Sequence, residues 1–164
     1  MKRGDRVMTP EWCARDIVGY FGLPDDGVLE PFRGSGVFTT LCPGWDWCEI
    51  DDGRDFFDHA DPVDYIVSNP PYSKTRLCFR HAATLAENII FLVPLRNVFS
   101  GYGFIKEIMD YGGIKAIRLY GTGGNLGFPM GNAIGAMHFA RGWTGPTTWS
   151  DGSGKKNEQQ GRLF

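Results

Sequence analysis

Asn88-Ile89-Ile90-Phe91-Leu92-Val93 is the most apolar run in the chain, and past Asn88 it shows no alternation of polar with apolar residues. A strand that reads this way is buried on both faces, as in a parallel sheet covered by helices. Val28-Leu29-Glu30, Trp47-Cys48-Glu49-Ile50 and Tyr65-Ile66-Val67 are further strand-like runs separated by turn residues. Helical patterns fall between them. Thr9-Pro10-Glu11 predicts a helix start, with Thr9 as cap, Pro10 at the first position and an acid in the first turn. That helix runs to about Phe21, where Gly22 and Pro24 stop it. Further helices are expected from Ser35 or Gly36, over Thr75 to Glu87, and over Gly103 to Tyr111. Ile114 to Tyr120 and Ala133 to Ala140 flank a Gly-rich loop and read as an antiparallel hairpin. Strands alternating with helices predict an α/β fold with a mostly parallel sheet and this hairpin at its C-terminal side.

The 164 residues suit one domain with one sizeable core. A formal charge of -2 argues against non-specific coating of nucleic acid, which needs a broad basic surface. It leaves room for a local basic patch. Cys13, Cys42, Cys48 and Cys78 form no C-x-x-C pair, and His59, His81 and His138 are scattered, so no metal site and no catalytic triad is expected. The start, Met-Lys-Arg-Gly-Asp-Arg, has no apolar run behind it, and no stretch is long enough to span a membrane. A cytoplasmic protein is expected. From Gly142 onward polar residues and glycine dominate, so residues 1–143 are expected to fold and 144–164 to form a flexible tail.

Two constellations carry chemistry. Glu30-Pro31-Phe32-Arg33-Gly34-Ser35-Gly36 closes the first strand with two glycines two apart. Such a loop turns sharply, lets backbone approach a ligand, and aims the N–H groups of the next helix at it. Glu49, beside Ile50 at the end of the next strand, is placed to accept both hydroxyls of a ribose. Together they read as a site for a nucleoside-containing cofactor. The second constellation is Asn69-Pro70-Pro71-Tyr72, directly after an apolar strand. Two prolines remove two backbone donors and hold the chain extended. The Asn69 side-chain oxygen and the Pro70 carbonyl then accept two hydrogen bonds from one amino group. That geometry draws the nitrogen lone pair out of conjugation. Tyr72 offers a flat face for a planar base, a contact worth roughly 1–3 kcal/mol.

These motifs resemble those of the class I, Rossmann-like S-adenosylmethionine-dependent methyltransferases, and specifically their amino-group DNA methyltransferases. Glu30 to Gly36 is similar to that family's cofactor loop, and the resemblance implies cofactor contacts at Glu30, Pro31, Phe32, Gly34 and Gly36. It implies a ribose acid at Glu49 with Ile50 beside it, and an acceptor for the cofactor's adenine amino group at Asp55, followed by Phe56. It implies catalysis by Asn69, Pro70, Pro71 and Tyr72, with Asn69 near the cofactor as well. Thr9-Pro10 resembles an element that lies by the cofactor's methionine end. The motif order is that of adenine-specific members, and the resemblance covers roughly residues 7 to 143.

Two departures stand out. Only a few residues separate Glu49 from Asp55, so one helix is expected to be deleted there and the strand after it to be short or absent. After the hairpin there is no stretch resembling a target-recognition domain, which leaves target sequence and the choice of DNA or RNA open. On this reading the base stacks on Tyr72 with Phe128 on its other side, while Lys74 and Arg76 hold phosphates. Gln160-Gly161-Arg162-Leu163-Phe164 resembles the bacterial sliding-clamp-binding peptide, with Gln160, Leu163 and Phe164 as its determinants. Competing readings are an RNA adenine or cytosine N4 methyltransferase and a protein glutamine methyltransferase. From a different class come a non-catalytic cofactor-binding subunit and a clamp-tethered adaptor.

Overall fold

The most apolar run lies at the centre of the sheet. In the computed structural model, which describes residues 7–160 and only the backbone of 159 and 160, it belongs to β4, Ala86–Pro94. The strands in chain order are β1, Val28–Glu30; β2, Asp46–Trp47; β3, Val63–Ser68; β4; β5, Gly112–Thr122; β6, Ala133–Arg141; and β7, Thr148–Asp151. They form one seven-stranded sheet in the order β2-β1-β3-β4-β6-β5-β7. Pairing is parallel from β2 through β4 and between β5 and β7. Only β6 runs the other way, antiparallel to both β4 and β5. The expected mostly parallel sheet with an antiparallel hairpin is therefore observed.

From Ile89 onward β4 is apolar because each side of it is a core. Ile89, Phe91 and Val93 face a cluster with Ile66, Phe79, Phe139 and Ile108. Ile90 and Leu92 face a second cluster with Cys13, Ile17, Phe38 and Tyr120. The helices cover these faces: α1, Glu11–Phe21, and α2, Val37–Leu41, on the second; α3, Thr75–Leu85, and α5, Tyr102–Tyr111, on the first. Between β4 and α5 lies a short α4, Leu95–Phe99, that the sequence pattern did not single out.

Between β2 and β3 there is no α-helix, only two 3-10 turns, Ile50–Asp52 and Phe56–Asp58. The expected helix deletion is observed, and β2, at the sheet edge, is two residues long.

Two expectations need correction. Thr9 does not cap α1: Pro10 is the N-cap, its carbonyl accepts from Cys13 and Ala14, and no side-chain cap bond is made. The Thr9 hydroxyl is taken elsewhere, as described below. Residues 148–160 are not a tail either. β7 pairs with β5 from Ala116 to Leu119, and α6, Lys155–Gln160, lies against α1. What holds β7 is backbone pairing, which composition does not reveal. Gly152 is tied in by its N–H to Leu119 O at 2.7 Å. A Cβ there would sit 2.7 Å from the Tyr120 ring, 2.8 Å from Arg118 Nε and 3.0 Å from Asp16 Oδ2, so this position packs only as glycine. Of the clamp-peptide determinants, the Gln160 side chain, Leu163 and Phe164 lie outside the described residues.

Candidate active site

The loops leaving the C-terminal ends of β1, β2 and β3 converge on a cleft of about 340 Å³. Parallel strands place ligand sites at this edge, where loops diverge and helix N-termini point outward. Of the residues expected to hold a cofactor, Thr9, Glu30, Pro31, Phe32, Gly34, Glu49, Ile50, Asp55, Phe56 and Asn69 line it. Pro10 and Gly36 do not. Gly36 caps α2 at φ 78°, and Gly34 turns the loop at φ 52°, both in the left-handed region that glycine tolerates.

Glu30 ends β1 and is 2% exposed. Its Oε2 has no hydrogen-bond partner. Burial pushes its carboxyl up to about 8; a backbone hydrogen bond at Thr39 and the Arg33 charge pull the other way, and Glu49 adds a further upward push. Glu49 stitches the site together. Its Oε2 accepts from Gly34 N–H at 2.8 Å and its Oε1 from Asp51 N–H at 3.4 Å, so the glycine loop and the turn after β2 share one carboxylate. Asp55 caps the second 3-10 turn by accepting from Phe57 N–H at 3.0 Å. Phe56 beneath it is buried against Phe32, Phe57 and His81. Ile50 is 61% exposed on the cleft wall, an unusual position for an isoleucine.

Asn69 shows the most definite chemistry. Its Nδ2 donates to Val7 O at 2.9 Å and to Thr9 Oγ1 at 3.2 Å. A carbonyl oxygen only accepts, so the amide nitrogen must face Val7 and the orientation is set by the network. That leaves Oδ1 on the other side, buried and without a partner. The element before α1 thus aims the acceptor of Asn69, and this is where the Thr9 hydroxyl is used. Ser68, just before it, also has a buried hydroxyl without a partner.

The rest of the motif is arranged less simply. Pro71 lines the cleft, whereas Pro70 is buried outside its wall. Tyr72 packs between the two core clusters, away from the cleft wall, with a buried hydroxyl that has no partner. Burial pushes that phenol well above its ordinary range. The turn is clamped at the Tyr72 carbonyl, which accepts from Asn97 Nδ2 at 2.9 Å and from Thr75 Oγ1 at 3.0 Å.

The residues expected to bind substrate divide. Lys74 lines the cleft and is exposed. Arg76 is held by Glu107, with 2.5 Å between Nη2 and Oε1. Phe128 is buried in the α1-side core, so a base has no access to it there. Sequence reasoning missed Val7, Met8, Asp51 and Asp52 as cleft residues. Val7 and Met8 directly precede Thr9-Pro10, and Asp51 and Asp52 follow Glu49-Ile50, so both pairs adjoin elements the sequence singles out. Glu30, Glu49, Asp51, Asp52 and Asp55 line the cleft against two cations, Arg33 and Lys74, so acids outnumber bases. Among the described residues no cluster of His, Cys, Asp and Glu is arranged to hold a metal ion, and no helix is long and apolar enough to cross a membrane.

The sequence matches no protein-family model and no curated protein. Its fold matches solved structures over nearly its whole length. The methyltransferase subunit of a type I restriction-modification system from Streptococcus thermophilus superposes with a TM-score of 0.70 at 15% identity, over 93% of this chain and 48% of that one. A putative class I S-adenosylmethionine-dependent methyltransferase from Listeria monocytogenes gives 0.66 at 14% identity, over 99% of this chain and 71% of that one. The fold is a methyltransferase fold. The M protein of the type I restriction enzyme EcoKI gives 0.60 at 13% identity, over 85% of this chain and 44% of that one. This methyltransferase-fold chain spans about half the length of the two restriction-system subunits.

Proposed function

We propose that this chain is an S-adenosylmethionine-dependent methyltransferase acting on an exocyclic amino group of a nucleic-acid base, with adenine N6 in DNA as the target. The observation that carries this reading is the Asn69 amide. Its donor is consumed by Val7 and Thr9, and its acceptor is buried, unpartnered and at the cleft. A buried acceptor left open costs about 1–3 kcal/mol, and a ligand N–H offsets that cost. The similarity in fold to restriction-modification methyltransferase subunits supports DNA as the substrate class.

The cleft residues fit the cofactor. Its excess of carboxyl groups suits a ligand that carries a sulfonium and an ammonium. Glu30, buried with one open oxygen, takes the ammonium end in this reading, with Thr9 on the same cleft wall. Glu49 takes the ribose hydroxyls, Asp55 the adenine amino group, and Ile50 covers the adenine face. When bound, S-adenosylmethionine supplies an electrophilic methyl group on positively charged sulfur.

The chain's own residues do the rest. Asn69 Oδ1 accepts one amino hydrogen and the Pro70 carbonyl is the second acceptor. Together they turn the nitrogen lone pair toward the methyl carbon. That nitrogen would take the methyl group of the bound cofactor, leaving the S–C electron pair on sulfur as a neutral thioether, and would pass its surplus proton to water. Positioning and fixed dipoles supply the rate, and no strong base is needed. Tyr72 stacks on the base after leaving its place between the two core clusters, and Lys74 at the cleft mouth holds a phosphate. The test is to incubate the protein with radiolabelled S-adenosylmethionine and duplex DNA, single-stranded DNA or RNA, then digest and identify the labelled nucleoside. Label on N6-methyladenine in DNA supports the reading. Label on RNA, on cytosine or on protein alone overturns its substrate assignment.

A further inference from the structure

The α3–α5 side of the cleft carries a surface that the cofactor and the transferred methyl group do not use. α4 and α5 follow the C-terminal end of β4, which is parallel to β3 and opens on the same sheet edge as Asn69. Asn97 of α4 donates to the Tyr72 carbonyl at 2.9 Å, so this element is joined directly to the catalytic turn. On its outside stand Phe99, exposed, and Tyr102, 75% exposed at the first turn of α5. Two aromatic rings this open, two and five residues after the side chain that holds the active-site turn, have no role in the core.

Charge accompanies them. Arg76 and Arg80 both bind the single carboxylate of Glu107, Arg76 at 2.5 Å and Arg80 at 2.6 Å. The two guanidinium groups hold the Glu107 carboxyl down to about 2, with the Arg80 hydrogen bond the larger influence. Two cations on one anion leave a net positive charge. A Cβ on Gly103 would lie 3.1 Å from Arg76 Nη2, so the Arg pair abuts the Tyr102–Gly103 corner. Lys74, in the turn, and Arg96, next to Asn97 in α4, add two exposed cations. A chain of net charge -2 has therefore gathered positive charge and open aromatic rings beside its catalytic motif. That combination matches a nucleic-acid strand, with phosphates for the cations and bases for the rings.

We infer that the surface formed by Arg96, Phe99, Tyr102 and the Arg76–Arg80 pair is the docking site for the nucleic-acid strand that flanks the target base, with a neighbouring base stacked on Tyr102. The inference rests on the nucleic-acid reading above and adds residues to it. It also gives the chain a way to hold its substrate within this domain.

The test is binding, read without turnover. Full-length protein is titrated into a fluorescently labelled single-stranded adenine-containing oligonucleotide, followed by anisotropy at several salt concentrations. Cofactor affinity is measured in parallel by calorimetry. Tyr102→Ala is expected to weaken binding about tenfold, and Tyr102→Trp to retain it. Arg96→Ala is expected to lower the slope of log affinity against log salt by about 0.7, the value for one phosphate contact on a single strand. Both sites are exposed, and unchanged cofactor affinity verifies the fold. Wild-type binding that all three variants share, with the same salt slope, overturns this surface while leaving the proposed reaction standing. A wild-type protein that binds cofactor but no nucleic acid overturns the nucleic-acid reading, and this surface with it.

Discussion

Two sets of buried polar groups in the molecule are treated in opposite ways. On the α1 face of the sheet, Asp16 lies against Arg118 and Tyr120 of β5. Arg118 Nε and Nη2 reach the two carboxylate oxygens at 2.9 and 3.0 Å, and the Tyr120 hydroxyl donates at 2.8 Å. Both charged side chains are about one-tenth exposed, and the Tyr20 ring covers the guanidinium. Every acceptor there has a donor. At the cleft, Glu30 Oε2, Asn69 Oδ1 and Ser68 Oγ are equally buried and have none. A satisfied buried cluster has no capacity left for a ligand, so its role is to hold α1 and β5 together. Orphaned acceptors lower stability unless something external completes them. Trp143 Nε1 and Ser150 Oγ are also buried without partners but lie away from the cleft, so it is the lack of a partner together with a place on the cleft wall that marks Glu30 and Asn69 as candidates to meet a ligand.

The comparison is broken most severely at the satisfied cluster. Asp16→Ala strands a buried guanidinium, and the expected loss is about 3–5 kcal/mol of unfolding free energy. Denaturant titration reads this. The cofactor dissociation constant at low temperature, where the variant remains folded, is expected to stay within about twofold. Loss of cofactor binding in a demonstrably folded variant breaks the proposed division. Asn69→Ala is the mirror experiment. Turnover is expected to fall by about 10²–10³-fold, the cost of removing one preorganised acceptor or donor from a transition state. The unfolding midpoint should move only modestly, since the lost bonds to Val7 O and Thr9 Oγ1 are partly offset by removal of an unpartnered buried oxygen. Equal losses of turnover and cofactor affinity would contradict the assignment.

Glu30 sharpens the comparison through pH. Its folded-state value of about 8 lies above the ordinary 4.5, so the folded state binds the proton more tightly than the unfolded chain does. Folding stability from this group is therefore fully present below about 4.5 and is lost as pH rises through 8. Glu30→Gln, which mimics the protonated form, should leave stability nearly unchanged near pH 5 and raise it by roughly 4–5 kcal/mol at pH 9. Its cofactor affinity should drop, because an ammonium prefers the carboxylate. For the same reason wild-type protein should release a proton on binding cofactor at pH 7, measurable as a buffer-dependent binding enthalpy. A variant that is no more stable at pH 9 than wild type would remove Glu30 from the unsatisfied set.

This asymmetry also accounts for what was legible in the sequence. The cleft is built from local features. Glycines at 34 and 36, the acid after each strand and the Asn-Pro-Pro run are short-range patterns, and the parallel sheet necessarily gathers strand ends at one edge. Continuous apolar runs such as Ile89 to Val93 announce strands buried on both faces. What escaped notice depends on distant partners. Arg76 reads as a free cation until Glu107, 31 residues away, ties it to Arg80 on one carboxylate. Phe128 reads as an exposed loop aromatic until the α1-side core encloses it. Thr9 reads as a cap until Asn69, 60 residues on, donates to it. β7 has mostly exposed side chains, and backbone pairing with β5 plus the packing of Gly152 against the Asp16 cluster keep it in place. Polar composition carries no trace of either.

Ile50 offers the smallest and most selective test. A buried apolar residue serves stability and ligand together, so its removal cannot tell the two apart. Ile50 is 61% exposed, follows the Glu49 that ties the glycine loop, and lies on the cleft wall. Truncation to alanine there removes little buried surface, and the expected change in unfolding free energy is within about 0.5 kcal/mol. If Ile50 covers the adenine of the cofactor, the same truncation exposes one ring face, costing roughly 1 kcal/mol of binding at the usual area coefficient. That is a five- to tenfold rise in the cofactor dissociation constant, with kcat at saturating cofactor unchanged because the reacting centre lies at the other end of the ligand. Ile50→Leu should restore most of the affinity. A fall in kcat at saturating cofactor would instead place Ile50 beside the substrate, and the division of the cleft into a Glu49 end and an Asn69 end would have to be redrawn.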